Sequence, residues 1–377
     1  MRILVLGQTP PPFGGQAMMI QRMLEGDYGP EVRLHHVRMA FSRSMSEMGR
    51  FRARKVLELF RVLLATIVGR VRLGTDVLYY SPSGLRWLPL LRDIVVLASV
   101  RWLFRRTILH FHAGGVGSCY RDLPKIARAL FRMAFWNHDV GIRVSPFAHD
   151  DPTELRCKQA YVVPNGIEDL AEERGGRPAV RNEISAESGM PATVHVVFCG
   201  VLSEEKGIMV LLEAIATLVE RGQRVALDVV GEFESELFEE RIRDFLQRKR
   251  LAHVAKLLGV LTGADKVRVF QDADIACVPT FAKTETSSLV ALEAMCLGLP
   301  IVATRWGGIP ALVEDGVTGF LVPVRDPEAL AERIELLVRD GKLRRTLGEN
   351  GRSRFLEHFS LQAHRAGLRE VFLTCSN

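Results

Sequence analysis

Short apolar runs alternate with longer segments of helical periodicity along the chain. In the first half, the residues with these patterns predict strands at 2–7, 76–80, 107–112, 140–144 and 160–163, and helices at 16–25, 88–104 and 123–136. Strands rich in valine and isoleucine that alternate with helices are typical of a parallel sheet covered on both faces. The first half is therefore expected to be an α/β domain.

The alternation stops at the polar stretch 168–191 and then restarts. The second set of patterns predicts strands at 194–200, 225–231, 254–258, 273–279 and 300–304, and helices at 209–220, 237–249, 265–271 and 287–297. The tail beyond residue 327 reads as helix nearly to its end. A polar segment rich in glycine and proline between two such sets favours a domain boundary, which we expect near residue 170.

The composition is that of a globular protein, since 47% of the 377 residues are hydrophobic and 25% are charged. None of the six cysteines forms a C-x-x-C pair, which favours small buried thiols in a reducing compartment. The apolar start is too short for a signal peptide. The longest apolar runs, 62–68 and 94–100, are far below the ~20 residues that span a bilayer. We expect a cytoplasmic protein that is soluble or peripheral.

Charge is unevenly distributed along the chain, whose net charge is +6. Residues 1–170 contain 24 basic and 14 acidic residues, whereas residues 171–377 contain 26 and 30. Basic residues cluster at 50–55, 61, 70 and 72, and residues 102–106 add an aromatic and basic cluster. The first half is thus expected to meet an anionic partner, either nucleic acid or a membrane surface. No basic motif interleaved with aromatic residues supports nucleic acid, so an anionic membrane is favoured.

Residues that could bind a ligand or take part in catalysis follow the predicted strands. They are the pair Gly14–Gly15 after the first strand, His112 at the end of 107–112, Lys206 after 194–200, and Glu285 after 273–279. Ligands of open α/β sheets bind outside the carboxyl ends of the strands. We therefore expect these positions to meet in one cleft between two sheets that face each other.

Two glutamates separated by seven residues, Glu285 and Glu293, flank the start of a predicted helix. With Thr286 or Ser287 as N-cap, the first free N–H groups lie near residues 288–290, namely Ser288, Leu289 and Val290. Such N–H groups bind phosphate. An unpaired acid inside the apolar helix 289–295 is costly, which favours a ligand role for Glu293 over a solvated surface position.

Lysine and glycine residues at the other strand ends fit a phosphate or a sugar. Lys206 can place its ammonium on a diphosphate, and Gly207 allows close backbone approach. Gly14–Gly15 make room at a strand-to-helix turn, although a plain turn is the alternative. The spacing around Lys206 does not fit a Walker A loop. The dinucleotide fingerprint G-x-G-x-x-G is also absent, which argues against a nicotinamide enzyme.

His110 and His112 lie on the same face of their predicted strand. His112, at the strand end, is better placed for a ligand, and a hydrogen-bonded structural histidine is the alternative. Zinc would require a third ligand, which His35 and His36 do not offer at a suitable spacing. Residues 163–166 are interpreted as a turn that closes the first domain.

Together these residues resemble retaining glycosyltransferases of the family 4 type, which have the GT-B fold. The motifs that carry the resemblance are Glu285 and Glu293 with the run Glu293-Ala-Met-Cys-Leu-Gly298-Leu-Pro300, then Gly307-Gly308, Glu314-Asp315-Gly316, Val163-Pro-Asn165-Gly166, Glu205-Lys206-Gly207 and Gly14-Gly15. They occur in the family's order between about residues 10 and 360. The resemblance implies two Rossmann-like domains facing across a cleft.

The resemblance also implies a domain plan and a reaction. Residues 1–170 would bind the acceptor, 171–355 the nucleotide sugar, and a C-terminal helix at 356–377 would return to the first domain. The reaction implied is the transfer of a sugar, with retention, from a nucleotide-diphosphate donor to a saccharide or lipid-linked acceptor. The setting implied is cell-surface polysaccharide or glycolipid synthesis.

Site roles follow from the same resemblance. Lys206 and the N–H groups of 288–290 would hold the diphosphate, and Glu293 the ribose. Glu285 would contact the donor sugar, and His112 would face the sugar being transferred. Gly14–Gly15 would also bind the donor. No cofactor and no obligatory metal are expected.

This chain departs from the family pattern at two places. Val201 stands where an arginine usually follows the glycine at position 200, and Ser287–Ser288 replace the common Phe-Gly. A binding protein with a relict donor site is therefore one alternative. Another enzyme on the same fold, such as an epimerase or a phosphorylase, is a second.

Overall fold

The computed structural model describes residues 1–12, 14–41, 52–85, 87–171 and 192–375. The chain divides into two compact units. The first unit comprises residues 1–166 together with 361–377, and the second comprises residues 167–360. Most of the polar stretch predicted as a linker, residues 172–191, lies outside the described residues.

The first unit is built on a parallel sheet of six strands. They are β1 Arg2–Gly7, β2 Arg33–Arg38, β3 Val77–Tyr80, β4 Arg106–Phe111, β5 Val140–Arg143 and β6 Gln159–Val162. Their order across the sheet is β2-β1-β3-β4-β5-β6, and every neighbouring pair is parallel.

Helices cover both faces of this sheet. They are α1 Gly15–Leu24, α2 Ala53–Leu73, α3 Trp87–Val100, α4 Lys125–Phe135, the short α5 Asp151–Glu154, and the last helix of the chain, α13 Leu361–Thr374. Because side chains alternate along a strand, Leu4 and Leu109 pack with α2, α3 and α4. Ile3 and Ile108 pack on the opposite face with α1 and α13.

The second unit repeats this plan. Its parallel strands are β7 Val194–Cys199, β8 Val225–Val230, β9 Ala255–Gly259, β10 Ile275–Val278, β11 Ile301–Thr304 and β12 Gly319–Val322. Their order across the sheet is β12-β11-β10-β7-β8-β9.

The helices of the second unit again form a layer on each face. They are α6 Ile208–Glu220, α7 Glu236–Arg248, α8 Gly263–Gln271, α9 Leu289–Cys296, α10 Ile309–Leu312, α11 Pro327–Arg339 and α12 Gly341–His358. One core lies beneath α6, α7 and α11, and the other beneath α8, α9, α10 and α12. Among the described residues, no helix has both the length and the apolar character needed to cross a membrane.

The strand orders place one topological switch point in each sheet. In the first unit the chain runs outward from β1 in both directions, so the switch lies between β1 and β3. In the second unit it lies between β7 and β10. The connections at a switch point leave in opposite directions and open a crevice at the carboxyl ends of the strands. These two crevices are where each unit is expected to bind a ligand.

Candidate functional site

The loops that follow β7 and β10 approach each other closely at the switch point of the second unit. Gly207 has a φ of 76°, and a Cβ atom there would lie 2.0 Å from the carbonyl oxygen of Pro279. Only glycine fits such a position. The Phe281 N–H also donates to the Glu205 carbonyl at 2.8 Å. The loop that carries Lys206 is therefore held against the loop that leads to Glu285.

Lys206 and Glu285 form an ion pair across this crevice, with Nζ 2.6 Å from Oε2. The Thr280 hydroxyl donates to the same carboxylate oxygen at 3.2 Å. Glu285 is buried, whereas the Lys206 side chain is partly exposed. A buried carboxylate with two donors is fixed in place, and the lysine keeps an accessible side.

The glycine pair Gly307–Gly308 contacts the backbone carbonyl of Glu285. A Cβ atom on Gly307 would lie 2.1 Å from the Glu285 carbonyl oxygen, and the Gly308 N–H donates to that oxygen at 3.0 Å. Any larger residue at 307 would push the Glu285 loop away from Lys206. The pair therefore positions Glu285 through its backbone.

The helix after Glu285 begins later than the sequence predicted. Ser288, not Thr286 or Ser287, is the N-cap of α9, and its hydroxyl accepts from the Ala291 N–H at 3.2 Å. The predicted N-cap positions were wrong because Ser288 satisfies the cap from one residue further on. Leu289 and Val290 are the first two helical residues, whose N–H groups have no carbonyl four residues back in the helix.

The neighbouring Ser287 carries a hydroxyl whose oxygen is buried without a hydrogen-bond partner among the described residues. Buried hydroxyls are normally paired. The serine that replaces the usual phenylalanine of the family pattern therefore brings an unused donor and acceptor to the start of α9.

Glu293, on α9, pairs with a lysine that the sequence reasoning missed. Lys266 of α8 lies 2.6 Å from Glu293 Oε2 and 2.8 Å from Oε1. The cost of an unpaired acid in an apolar helix indicated that some partner was needed, but no local spacing points to a residue 27 positions away.

Cys199, at the end of β7, lies close to this pair. Burial raises the pKa of the Cys199 thiol to about 11, while Lys266 lowers it and Glu293 raises it. The end of β7 thus lies against this pair.

In the first unit, His112 directly follows β4 and stacks on His110, with ring centroids 4.0 Å apart. The His110 Nδ1 atom is 2.6 Å from the Tyr79 hydroxyl. Burial lowers the pKa of His112 to about 3, with a smaller contribution from His364 when that ring is protonated, although a hydrogen bond with Asn165 raises it. His112 is therefore a neutral imidazole at neutral pH.

The segment 163–166, predicted as a turn, contributes to this histidine cluster. Asn165 is buried and bonds His112. The Pro164 carbonyl lies 2.6 Å from Nδ1 of His364 on α13. Interpreting the segment as a turn alone missed this contact, because His112 is 53 positions earlier in the chain and His364 is 199 positions later than Asn165.

The glycine loop after His112 is held by a buried acid, Asp151, that the sequence reasoning also missed. Its two carboxylate oxygens accept from the N–H groups of Gly115 at 2.8 Å and Gly117 at 2.7 Å. Burial raises the pKa of this carboxyl to about 6, against the lowering effect of the two backbone hydrogen bonds. Asp151 therefore fixes the shape of the loop that leaves the end of β4.

Gly14 and Gly15 start α1 at the switch point of the first unit. Gly14 is the N-cap with an extended backbone, φ −125°, so its conformation does not require glycine. The next residue, Gln16, donates from Nε2 to Ser81 Oγ at 2.8 Å and to the Ser81 carbonyl at 2.9 Å. This amide ties the start of α1 to the loop after β3.

The structure places the predicted residues in two sets, one in each unit. In the second unit, Lys206 and Glu285 are paired and Glu293 lies on the helix whose first N–H groups belong to Leu289 and Val290. In the first unit, His112 joins a buried cluster of neutral histidines. Gly14 and Gly15 begin the helix after β1.

The fold belongs to a known class. The chain is similar in structure to a sucrose-phosphate synthase from Thermosynechococcus elongatus, with a TM-score of 0.74, 19% identity and full coverage of both chains. It is also similar to Anabaena HepE in complex with UDP, with a TM-score of 0.70 and 18% identity, over 99% of this chain and 100% of that one. These likenesses define an α/β fold of the GT-B class, with two Rossmann-like domains.

The sequence also has known relatives. Residues 180–354 match the model of the glycosyl transferases group 1. A D-inositol 3-phosphate glycosyltransferase of Corynebacterium jeikeium is 34% identical over 218 residues. That alignment covers 56% of this chain and 51% of the relative, so the chain spans about half the length of the relative.

Proposed function

We propose that the protein is a retaining glycosyltransferase that moves a sugar from a nucleotide-diphosphate donor to a saccharide or lipid-linked acceptor. The single observation that carries this proposal is the Lys206–Glu285 pair, 2.6 Å apart, at the switch point beside the first turn of α9. A cation and a helix N-terminus at one crevice suit a diphosphate, and the adjacent carboxylate suits sugar hydroxyls. The family match of residues 180–354 supports it.

In this proposal the second unit binds the donor. Lys206 and the N–H groups of Leu289 and Val290 hold the diphosphate, and Ser288 acts by capping α9. Glu293 accepts hydrogen bonds from the ribose, which requires it to share or release Lys266. Glu285 contacts the donor sugar. The UDP bound to the similarly folded HepE supports a nucleoside diphosphate as the ligand class.

The transition state of such a transfer has oxocarbenium character, and negative charge builds on the leaving phosphate. Lys206 and the α9 N–H groups are fixed by the protein before reaction, so they stabilise that charge without reorganising. We assign no nucleophile to either glutamate, because the family resemblance leaves the acceptor proton to the leaving phosphate. The same cations and dipoles meet the diphosphate charge without an obligatory metal.

We assign acceptor binding and one catalytic group to the first domain, residues 1–170. His112 faces the transferring sugar as a neutral imidazole, able to donate or accept one hydrogen bond. Gly14 and Gly15 contact the donor at the start of α1. In this plan residues 171–355 form the donor domain, and residues 356–377 belong with the first domain.

The same proposal places the protein in the cytoplasm, peripheral to the inner face of the membrane and in the synthesis of a surface polysaccharide or glycolipid. All six cysteines are free, which fits a reducing compartment. A basic first half fits an anionic surface and a lipid-linked acceptor.

A binding protein with a relict donor site is the second candidate. The observation that favours it is Val201, an exposed apolar residue at a position where the family has a diphosphate-binding arginine. Such a protein would bind the nucleotide sugar and not turn it over.

The test is mass spectrometry of products after incubation with UDP-, GDP- and ADP-sugars and a lipid and saccharide extract. We expect one donor to give a free nucleotide and an acceptor heavier by one glycosyl residue, with chelator present or absent. Donor binding without any product across the extract would favour the relict site. Transfer that is lost in chelator and restored by magnesium or manganese would contradict the metal-independent chemistry.

A further inference from the structure

The outer surface of α2 carries an apolar stripe that no element of the described chain covers. Five side chains with alternating spacings of three and four residues are exposed along it, namely Leu57, Phe60, Leu64, Ile67 and Val71. This spacing places them on one face of the helix. A stripe of this length on a surface helix marks an interaction site.

The buried face of α2 lies on the opposite side. Val62, Thr66 and Gly69 are buried against the sheet. A Cβ atom on Gly69 would lie 3.1 Å from Leu4 Cδ1, so the helix is packed closely on β1. The exposed stripe is thus additional to the apolar face that the fold uses.

Two neighbouring helices on the same face of the sheet expose apolar side chains as well. α3 packs against both α2 and α4. Ile126 and Met133 of α4 are exposed, and so is Trp87 at the start of α3. Trp102, just after α3, is exposed although its indole N–H is bonded to the Ser99 carbonyl. One helical layer of the first unit therefore presents apolar and aromatic groups outward.

The charge of this layer is positive. α2, α3 and α4 contain nine Lys and Arg residues and two acidic residues. Both acids are already paired with arginines, Glu58 with Arg61 at 2.6 Å and Asp93 with Arg92 at 2.6 Å. The excess positive charge attracts anions from outside this layer. The same charge repels a second copy of this face.

We propose that α2, with the exposed ends of α3 and α4, docks the protein on an anionic lipid bilayer. The stripe inserts among the acyl chains near the headgroups, and arginines such as Arg54 and Arg72, at the edge of the stripe, reach the lipid phosphates. Apolar insertion and basic attraction are the two contributions that reversible membrane binding needs. The docking rests on the peripheral location in the proposed function but not on the donor site, so its test requires no turnover.

The experiment is flotation of the full chain with phosphatidylcholine vesicles that contain from zero to about 40 mol% phosphatidylglycerol. A negative surface potential develops over about this range. We expect binding that rises with phosphatidylglycerol and falls with added salt. The double variant Leu57→Ser/Leu64→Ser should bind more weakly by about tenfold or more, because two large apolar groups no longer leave water.

The chain offers a matched control in the second unit. Leu57 and Leu64 are 73% and 64% exposed, and Leu237 and Val260 are 77% and 64% exposed. Leu237→Ser/Val260→Ser should bind vesicles as the parent does. Because all four side chains are exposed, thermal unfolding should be similar in the three proteins.

Several results would overturn the proposal. Equal binding of the two double variants would show that the stripe takes no part. Equal binding to neutral and anionic vesicles, or none to either, would reject the anionic bilayer as the occupant. A parent dimer that dissociates in Leu57→Ser/Leu64→Ser, without lipid binding, would identify a second copy of the chain instead.

Discussion

At the scale of single residues, the side chains proposed to bind the donor are paired with charged neighbours. Lys206 is paired with Glu285, and Lys266 with Glu293. A partly buried charge without a partner is costly, so each pair stabilises this part of the fold. In the proposed function, donor binding shares or replaces these contacts, and the affinity includes that cost.

The variant Glu285→Gln tests this competition. Removing the carboxylate frees Lys206 from its ion pair and takes a negative charge away from the expected diphosphate. We expect UDP, GDP or ADP, whichever the parent binds, to bind roughly threefold to tenfold more tightly in calorimetry, corresponding to about 1 kcal/mol. Sugar transfer from the same donor should fall at the same time.

The control is Glu335→Gln, which removes another paired glutamate of the second unit, bonded to Arg221. It should leave both affinity and transfer unchanged. Weaker nucleotide binding in Glu285→Gln would mean that Glu285 supports the nucleotide directly, and the competition with Lys206 would be rejected.

Residue positions were predictable from the sequence where they follow a strand, and their partners were not. Lys206 and Glu285 were singled out because each comes after a predicted strand, and the structure brings their side chains together. Their roles stay predictions. Asp151 and Lys266 gave no signal, because a carboxylate bonded to backbone N–H groups and a lysine on a surface helix look ordinary in a sequence.

At the scale of elements, the alternation of strands and helices was largely predictable. The predicted strands at 2–7 and 76–80 correspond to β1 Arg2–Gly7 and β3 Val77–Tyr80. Two of the elements that were missed have clear physical reasons. β2 is an edge strand, Arg33–Arg38, with few apolar residues. α2 has apolar residues on two opposite faces, which hides its helical period.

Buried histidines make the stability of the first unit depend on pH. Burial lowers the pKa of His364 on α13 and of His138 to about 4, and that of His112 to about 3. Between these values and about 6.5, the unfolded chain binds more protons than the folded one, so stability falls as pH falls through this window. Asp151, with its pKa raised to about 6, acts in the opposite direction but is one group.

We expect the free energy of unfolding to drop between pH 7 and pH 5, with about 2 kcal/mol of the drop from His364 alone. His364→Gln should reduce the pH dependence by that amount in denaturant titrations at the two pH values. The exposed His253, replaced in His253→Gln, serves as the control. An unchanged pH dependence in His364→Gln would contradict a neutral buried imidazole on α13.

At the scale of the whole molecule, the sequence predicted two α/β units but not how the chain is shared between them. The last helix, α13, belongs to the first unit although it follows the second in sequence. Arg365 and Arg369 bond the backbone carbonyls of Arg22 and Tyr28 in that unit. Contacts between residues more than 340 positions apart leave no periodic signal, so only the family resemblance indicated a returning helix.

The switch point of each unit also depends on whole-molecule topology. A sequence shows that strands alternate with helices, but not which strands are neighbours. The order β10-β7-β8 is what places the loop of Lys206 beside that of Glu285. We infer that this crevice binds a nucleoside diphosphate.

Calorimetry of Lys206→Ala with UDP, GDP and ADP tests nucleotide binding at this crevice. The parent should bind at least one of the three, and the variant should lose roughly 1.5–3 kcal/mol of binding free energy, the value of a charge-assisted hydrogen bond. The control is Lys249→Ala. Lys249 follows α7 and pairs with Glu220 of α6, and its variant should bind as the parent does. Equal affinity of Lys206→Ala and the parent for the bound nucleotide would show that Lys206 does not hold the diphosphate.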